Sequence, residues 1–379
     1  MKVVSSVISI HSSDTAGVCS SLYELGGLTV VHDASGCNST YATHDEPRWY
    51  DHASSVCISA LTEADMIMGN DERFIDNVVT AAQELGCCRF IAICGSPLPM
   101  MVGTDFAALG AEIERRTSIP VLALRTNGIA SYLAGVNQAL CAFADRFCLD
   151  GVAKKSGVIN ILGATPLDFS VNGQVESMKK LLEEEGFEVN ACWSMGSSFE
   201  ALANSGRATV NLLISSAAKK LALYFEKRFN TPFVAGVPIG NKFSKICVNA
   251  LREASSRGES SAPCISERTT GKESAVIGET LWSSSLCCAL QLERNESCHV
   301  LNPLEENFAF MQGDEITVPD ENAVEKAFSG VSTVYGDPLY KFIVPGDTRF
   351  VSVPHEAFSG RCFRKNMRFI CGKNFEKGI

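Results

Sequence analysis

The chain predicts an α/β protein of three Rossmann-like units, each a mostly parallel sheet with helices on its faces. Three observations carry this. Short apolar or β-branched runs alternate with amphipathic stretches along most of the 379 residues. The apolar runs end in turns bearing glycine or serine, as strands do when they empty into loops. Polar breaks at Lys154-Lys155-Ser156-Gly157 and over Arg257–Lys272 divide the pattern into thirds. A chain of this length exceeds one core, at roughly 100–200 residues per domain. The expected domains are 1–153, 154–256 and a shortened 273–379, with 257–272 as a linker.

Taken in order, Leu28-Thr29-Val30-Val31 reads as a buried strand running into the loop His32-Asp33-Ala34-Ser35-Gly36-Cys37. Phe90–Ile93 is the next, leading into Cys94-Gly95-Ser96-Pro97, after which Thr104 or Asp105 caps a helix from Phe106 to about Arg116. Ile119–Leu124 is a strand and Gly128 to about Phe147 a helix. The rhythm restarts with strand Val158–Leu162, helix Gly173–Glu185 and strand Glu188–Cys192. A short helix over Phe199–Asn204, strand Thr209–Ile214, helix Ala217–Phe229 and strand Pro232–Val237 follow. A third unit opens with Ser274–Ile277 and a turn at Gly278.

Composition narrows the function classes. With 33 basic against 43 acidic residues the net charge is −10, which argues against nucleic acid, whose phosphates need a basic footprint. No apolar run reaches the ~20 residues of a membrane span. The start, Met1-Lys2-Val3-Val4, lacks the regions of a signal peptide, so a cytoplasmic protein is expected. Sixteen cysteines exceed what packing needs, and no Cys-x-x-Cys pair occurs, which disfavours zinc ribbons and thioredoxin chemistry. Most of these thiols, Cys141, Cys148 and Cys287-Cys288 among them, read as small buried hydrophobes; some remain for iron–sulfur ligation. Walker A and Gly-x-Gly-x-x-Gly sequences are absent, so no ATP or NAD site is expected on this chain.

Several landmarks stand in one order: Gly36-Cys37 after a strand and His32; Cys57 before Leu61-Thr62-Glu63-Ala64-Asp65 and Met68-Gly69-Asn70; and Ile91-Ala92-Ile93-Cys94 running into Val102-Gly103-Thr104-Asp105. Asn127-Gly128 precedes a long helix, and Val158–Gly163, Asn211-Leu212-Leu213 and Tyr224–Phe233 continue the series. Over about residues 10–245 this series resembles nitrogenase component 1, a family that includes the molybdenum–iron protein chains, a cofactor-assembly scaffold and tetrapyrrole reductases. The resemblance implies three α/β domains with a metal or substrate cleft between them. It also implies an iron–sulfur cluster, 4Fe-4S or larger, shared between subunits by cysteines on first-domain loops.

On that resemblance Cys37 matches the family's Gly-Cys ligand in sequence and loop context. Cys94 lies in the turn that carries another ligand, although the register through Val102-Gly103-Thr104-Asp105 puts Pro97 at that position. Ser12 stands where the first ligand is expected, so Cys19 either replaces it or packs inside a helix. Cys57 is a fourth candidate or a core residue, and Asp14 and Asp33 are oxygen alternatives. Aligning Asn211-Leu212-Leu213-Ile214 puts Ser215 where a cleft cysteine holds nitrogenase's cofactor; a hydroxyl is a poor iron ligand beside a thiolate, so dinitrogen reduction is not expected.

Two further groups belong to the candidate set. The segment from His44 to His52 mixes acids, bases and aromatics and reads first as a solvated loop, with His44 as a cofactor or interface contact. Near the end, His355 reads as a proton donor or a ligand and Arg361 as a clamp for a carboxylate, with a capping or packing role the equal alternative. The resemblance implies the cluster-bearing subunit of a two-component reductase, fed by an ATP-dependent iron protein and paired with itself or a related chain. The alternatives are a non-catalytic scaffold for metallocofactor assembly, a tetrapyrrole-type reductase subunit, or a structural partner of an active sister chain.

Overall fold

The computed structural model describes residues 5–8, 11–34, 45–52, 55–267, 270–304, 315–367 and 370–375. Cys37 and His44 lie outside the described residues. Within these bounds the chain forms three parallel sheets, each flanked by helices.

The first sheet has the order β2-β1-β3-β4, from β1 (Leu28–His32), β2 (Ser55–Ile58), β3 (Ile91–Gly95) and β4 (Val121–Leu124). Around it lie α1 (Asp14–Leu22), α2 (Glu63–Met68), α3 (Asp71–Leu85), α4 (Pro97–Val102), α5 (Phe106–Thr117) and α6 (Tyr132–Phe147). Asp105 caps α5 by accepting from the backbone N–H groups of Ala107 and Ala108. The second sheet, β6-β5-β7-β8, joins β5 (Val158–Leu162), β6 (Glu188–Cys192), β7 (Val210–Leu213) and β8 (Phe233–Ala235). Its helices are α7 (Pro166–Phe169), α8 (Gln174–Glu184), α9 (Phe199–Ala203), α10 (Lys219–Phe229) and α11 (Asn241–Arg257). The third sheet, β11-β10-β9-β12-β13, joins β9 (Thr270–Ile277), β10 (Cys298–Asn302), β11 (Ile316–Thr317), β12 (Thr333–Gly336) and β13 (Arg349–Ser352). With it come α12 (Pro263–Ser266), α13 (Thr280–Arg294), α14 (Glu321–Phe328) and α15 (Glu356–Ser359).

Central strands β3, β5 and β10 are buried at every position, as parallel strands covered on both faces must be. Edge strand β2 is half-buried throughout. Helices α1 and α6 pack backbone to backbone: a Cβ added at Gly135 would lie 1.8 Å from the Asp14 carbonyl oxygen, and one at Gly17 would lie 2.3 Å from that of Tyr132. An aromatic cluster of Phe90, Phe143, Phe199, Trp193 and Phe225 welds the first sheet to the second.

Two stretches differ from their sequence reading. The linker expected over 257–272 carries structure: the Ser260 hydroxyl donates to Glu226, Ser261 bridges to Val234 of β8, and α12 follows. The segment read as a solvated loop is anchored instead. Arg48 is 2% exposed and donates to Glu46, Glu24 and the carbonyls of Ser20 and Ser194, holding the 45–52 segment against α1 and the second domain. A guanidinium with that many acceptors tolerates burial that a lone charge would not.

Candidate functional site at the junction of the three sheets

The carboxyl ends of β5, β7, β9, β12 and β13 converge on one place, where open parallel sheets put their sites. After β5, Thr165 caps α7 and α7 presents Asp168. After β7, Ser215 donates its hydroxyl to Asp168 Oδ2 at 2.6 Å. From the first domain, Tyr132 at the start of α6 donates to Asp168 Oδ1 at 2.5 Å. From the third, His355 brings Nε2 to 3.2 Å from the same Oδ1. Asp168 thus gathers one side chain from each domain while itself 2% exposed.

Two more carboxylates flank it. Glu279, fully buried after β9, caps α13 through the N–H groups of Leu281 and Trp282 and accepts from the Ser216 hydroxyl and N–H. Burial, with Asp168 nearby, pushes its carboxyl above the usual range. Asp337, after β12, accepts from the His355 N–H at 2.8 Å and the Ser359 hydroxyl at 2.7 Å, which fixes the turn that carries His355. Burial raises its pKa as well. Burial and the Asp168 charge also raise the Tyr132 phenol, so Tyr132 stays a hydrogen-bond donor at neutral pH.

The cavity at this junction has a volume of ≈ 30 Å³ and is lined by Asp168, Gln174, Trp282, His355, Phe358 and Met367, among others. Arg361 is exposed and outside its lining; Arg364, three residues on, pairs with buried Glu356. Of the sequence candidates, the fold therefore brings His355 and Ser215 together and leaves Arg361 at the surface. Asp168, Tyr132 and Gln174 are not among the residues singled out from the sequence. Asp168 had one signal, its place just after a strand end and a Thr-Pro cap.

A family model described as nitrogenase component 1 type oxidoreductase matches residues 26–275, more than half of the chain. The chain belongs to that family. The solved structure titled nitrogenase Cp1 at pH 6.5 superposes with a TM-score of 0.71 over 97% of this chain and 90% of that one, at 17% identity, and so supports the fold. The nitrogenase iron-molybdenum cofactor biosynthesis protein NifE of Sinorhizobium fredii is 29% identical over 46% of this chain and 36% of its own length. A light-independent protochlorophyllide reductase subunit of Chlorokybus atmophyticus is 28% identical over 34% of this chain and 26% of its own. The chain thus matches only about a third of the length of these curated relatives.

Whether the residues present suit an iron–sulfur group is a question of geometry. In the cleft they do not: the Ser215 hydroxyl is committed to Asp168, and no thiol lines the cavity among the described residues. In the first domain the strand pleat separates the cysteines. Cys94 is in register with Val31 and faces the α1–α6 side, where Cys19 of α1 meets it. Cys57 is in register with Val30 and Ile93 and lies on the α3–α5 side. The hydrogen bond to Cys19, together with complete burial, raises the Cys94 thiol well above its usual pKa, and burial pushes Cys57 up to about 11. Among the described residues no group of three His, Cys, Asp or Glu is arranged to hold a metal ion.

The oxygen alternatives also have occupations. Asp14 accepts from the N–H groups of Thr15, Asn127 and Gly128, each at 2.8 Å, locking α1 to the turn before α6. Asp33, directly after β1, accepts from the Ser96 hydroxyl at 2.6 Å. A depression of ≈ 400 Å³ at this end of the sheet is lined by His32, Ser59, Asp65, Arg73 and Thr104. No helix among the described residues is long and apolar enough to cross a membrane.

Proposed function

We propose that this chain is a subunit of a nitrogenase-like two-component reductase, receiving electrons from an ATP-dependent iron protein and reducing a substrate held in the cleft between its three domains. The observation that carries the reading is the convergence of Tyr132, Ser215 and His355 on Asp168, each following a strand of a different sheet. Membership of the component 1 family supports the oxidoreductase class. Cys37 is the chain's candidate iron ligand. Cys19 and Cys94 lie on one side of the first sheet and Cys57 on the other, which supports assigning the remaining ligands to a second component-1-like chain, identical or related. The cleft's own contribution is to orient substrate and supply protons. His355 is the acid, and Asp168 holds its ring against the cavity wall.

The test is anaerobic purification of the full chain, alone and with its partner chain, followed by iron and sulfide analysis. Mixing with a reduced iron protein and ATP should then oxidise that protein in a stopped-flow trace. An iron-free anaerobic complex would sink the reading. A second reading, a scaffold on which a metallocofactor is assembled, draws on the match to a cofactor biosynthesis protein. Iron that is retained but never reoxidises the iron protein would favour the scaffold.

A further inference from the structure

At the junction cavity two buried side chains keep polar atoms that complete no hydrogen bond. Neither ring nitrogen of His355 completes a hydrogen bond, although Nε2 lies 3.2 Å from Asp168 Oδ1, and Gln174 Oε1 has no partner. Both side chains are more than nine-tenths buried, at 7% and 5% exposure, and both line the cavity. A buried polar atom without a partner costs about 1–3 kcal/mol, so two residues kept this way over one cavity mark a place built for something that completes them.

The neighbours define what that is. Asp168 and Asp337 line the cavity, and Glu279 stands behind Asp168; their oxygens already accept from Tyr132, Ser215, Ser216, Ser359 and backbone N–H groups. No lysine or arginine among the described residues lines it. An anionic group would therefore meet two carboxylates, Asp168 and Asp337, with the His355 ring as the one lining side chain among the described residues able to carry positive charge. Among the buried side chains of the lining, what remains open is Gln174 Oε1 and one imidazole edge, with exposed Ser352 and Asn366 at the rim. Trp282, Phe358 and Met367 supply flat apolar walls. The ≈ 30 Å³ cavity, at about 10–15 Å³ of such volume per water, takes two waters or one planar group of about that size.

We propose that the cavity binds a carboxamide or lactam group of the cleft ligand, its N–H donating to Gln174 Oε1 and its carbonyl accepting from the His355 ring. With Nε2–H toward Asp168 and Nδ1–H open, as the protonated ring of the reading above has it, a neutral group carrying adjacent donor and acceptor satisfies both residues at once; a carboxylate lacks the donor and an ammonium lacks the acceptor. This names the chemical class of the substrate in the reading above and depends on that reading for its role in turnover. The binding itself does not.

The probe is formamide, titrated into the full chain labelled with ¹⁵N at histidine, with sodium formate and methylammonium chloride as controls. The His355 ring signals are assigned by their loss in His355→Gln. Formamide is expected to shift them saturably, with an affinity at least tenfold above either control, and Gln174→Leu to weaken it about tenfold. Circular dichroism checks each variant, and Gln174→Met replaces Gln174→Leu if the latter does not fold. Formate or methylammonium binding as tightly as formamide, a shift that does not saturate, or an unchanged affinity in the folded Gln174 variant would overturn the proposal. No iron, ATP or partner enters these titrations. Failure here with electron transfer intact removes the substrate class alone, and failed electron transfer leaves a positive titration standing.

Discussion

Ser215 donates its hydroxyl to Asp168 at 2.6 Å, so the side chain at the expected place of the cleft cysteine is engaged in holding the junction together. Tyr132 donates to the other oxygen of the same carboxylate from a different domain. Asp168→Asn replaces one acceptor oxygen with an N–H₂ group that faces a hydroxyl. Urea unfolding followed by circular dichroism should show a loss of about 1–3 kcal/mol, against about 1 kcal/mol for Ser215→Ala. Equal stability of Asp168→Asn and wild type would mean that the carboxylate does not tie the domains.

Iron content should discriminate among the cysteines. Cys37→Ala is expected to lose most of the iron of the anaerobic complex. Cys19→Ala and Cys94→Ala, which alter the buried pair between α1 and β3, should lower stability by about 1–3 kcal/mol while iron per complex stays within about a tenth of wild type. Iron lost from Cys94→Ala in a folded complex would return that thiol to the ligand set.

The α1–α6 contact leaves no room for a methyl group. Gly135→Ala puts a carbon into the Asp14 carbonyl and must separate the helices, costing about 1–3 kcal/mol or more. Gly86→Ala is the control, since a Cβ there meets nothing within 4 Å; its left-handed φ of 68° adds only the smaller cost of that conformation. A chemical melt in which Gly135→Ala proves the milder of the two would refute the close approach.

Arg48 should be more sensitive than any surface arginine. Arg48→Met leaves Glu46, 1% exposed, as an unpaired buried carboxylate, a loss of about 3–5 kcal/mol. Arg115→Met, which breaks an exposed pair with Glu112, should cost under about 1 kcal/mol. Limited proteolysis of the 45–52 segment gives a second readout, rising in the first variant and not in the second.

Burial lowers the His32 pKa to about 4, from 6.5, against the opposing pull of Asp33 and Asp65. The folded state therefore holds this proton less tightly than the unfolded chain does. The stability it contributes is present above pH 6.5 and is lost as pH falls toward 4. His32→Phe keeps the stack on Phe74, whose ring centroid lies 4.2 Å away, and should flatten the fall in unfolding free energy across that window. An imidazole titrating near 6.5 in the folded protein by NMR would contradict this.

Much of the fold was legible in the chain. The β-branched runs at Leu28, Ile91, Val158 and Val210 became central strands because parallel strands, covered on both faces, are apolar throughout. Helix α11 carries its own signal, with Phe243, Cys247, Leu251 and Ala254 on one face at helical spacing, and is nonetheless absent from the elements expected from the sequence. The anchoring of Arg48 has none, since its acceptors at Ser20, Glu24 and Ser194 come from distant parts of the chain. Local composition there is that of a solvated loop.

The same division runs through the site. Sequence alone determined the α/β class, the ordered motifs of the component 1 family and the candidacy of Ser215 and His355, because strand period, turn chemistry and motif order are local properties. Only the tertiary structure decided that Ser215 and His355 share Asp168, that Arg364 and not Arg361 turns inward, and that Cys94 and Cys57 stand on opposite faces of one sheet. Those are contacts between residues far apart in the chain, set by strand order and helix packing, and no local pattern encodes them.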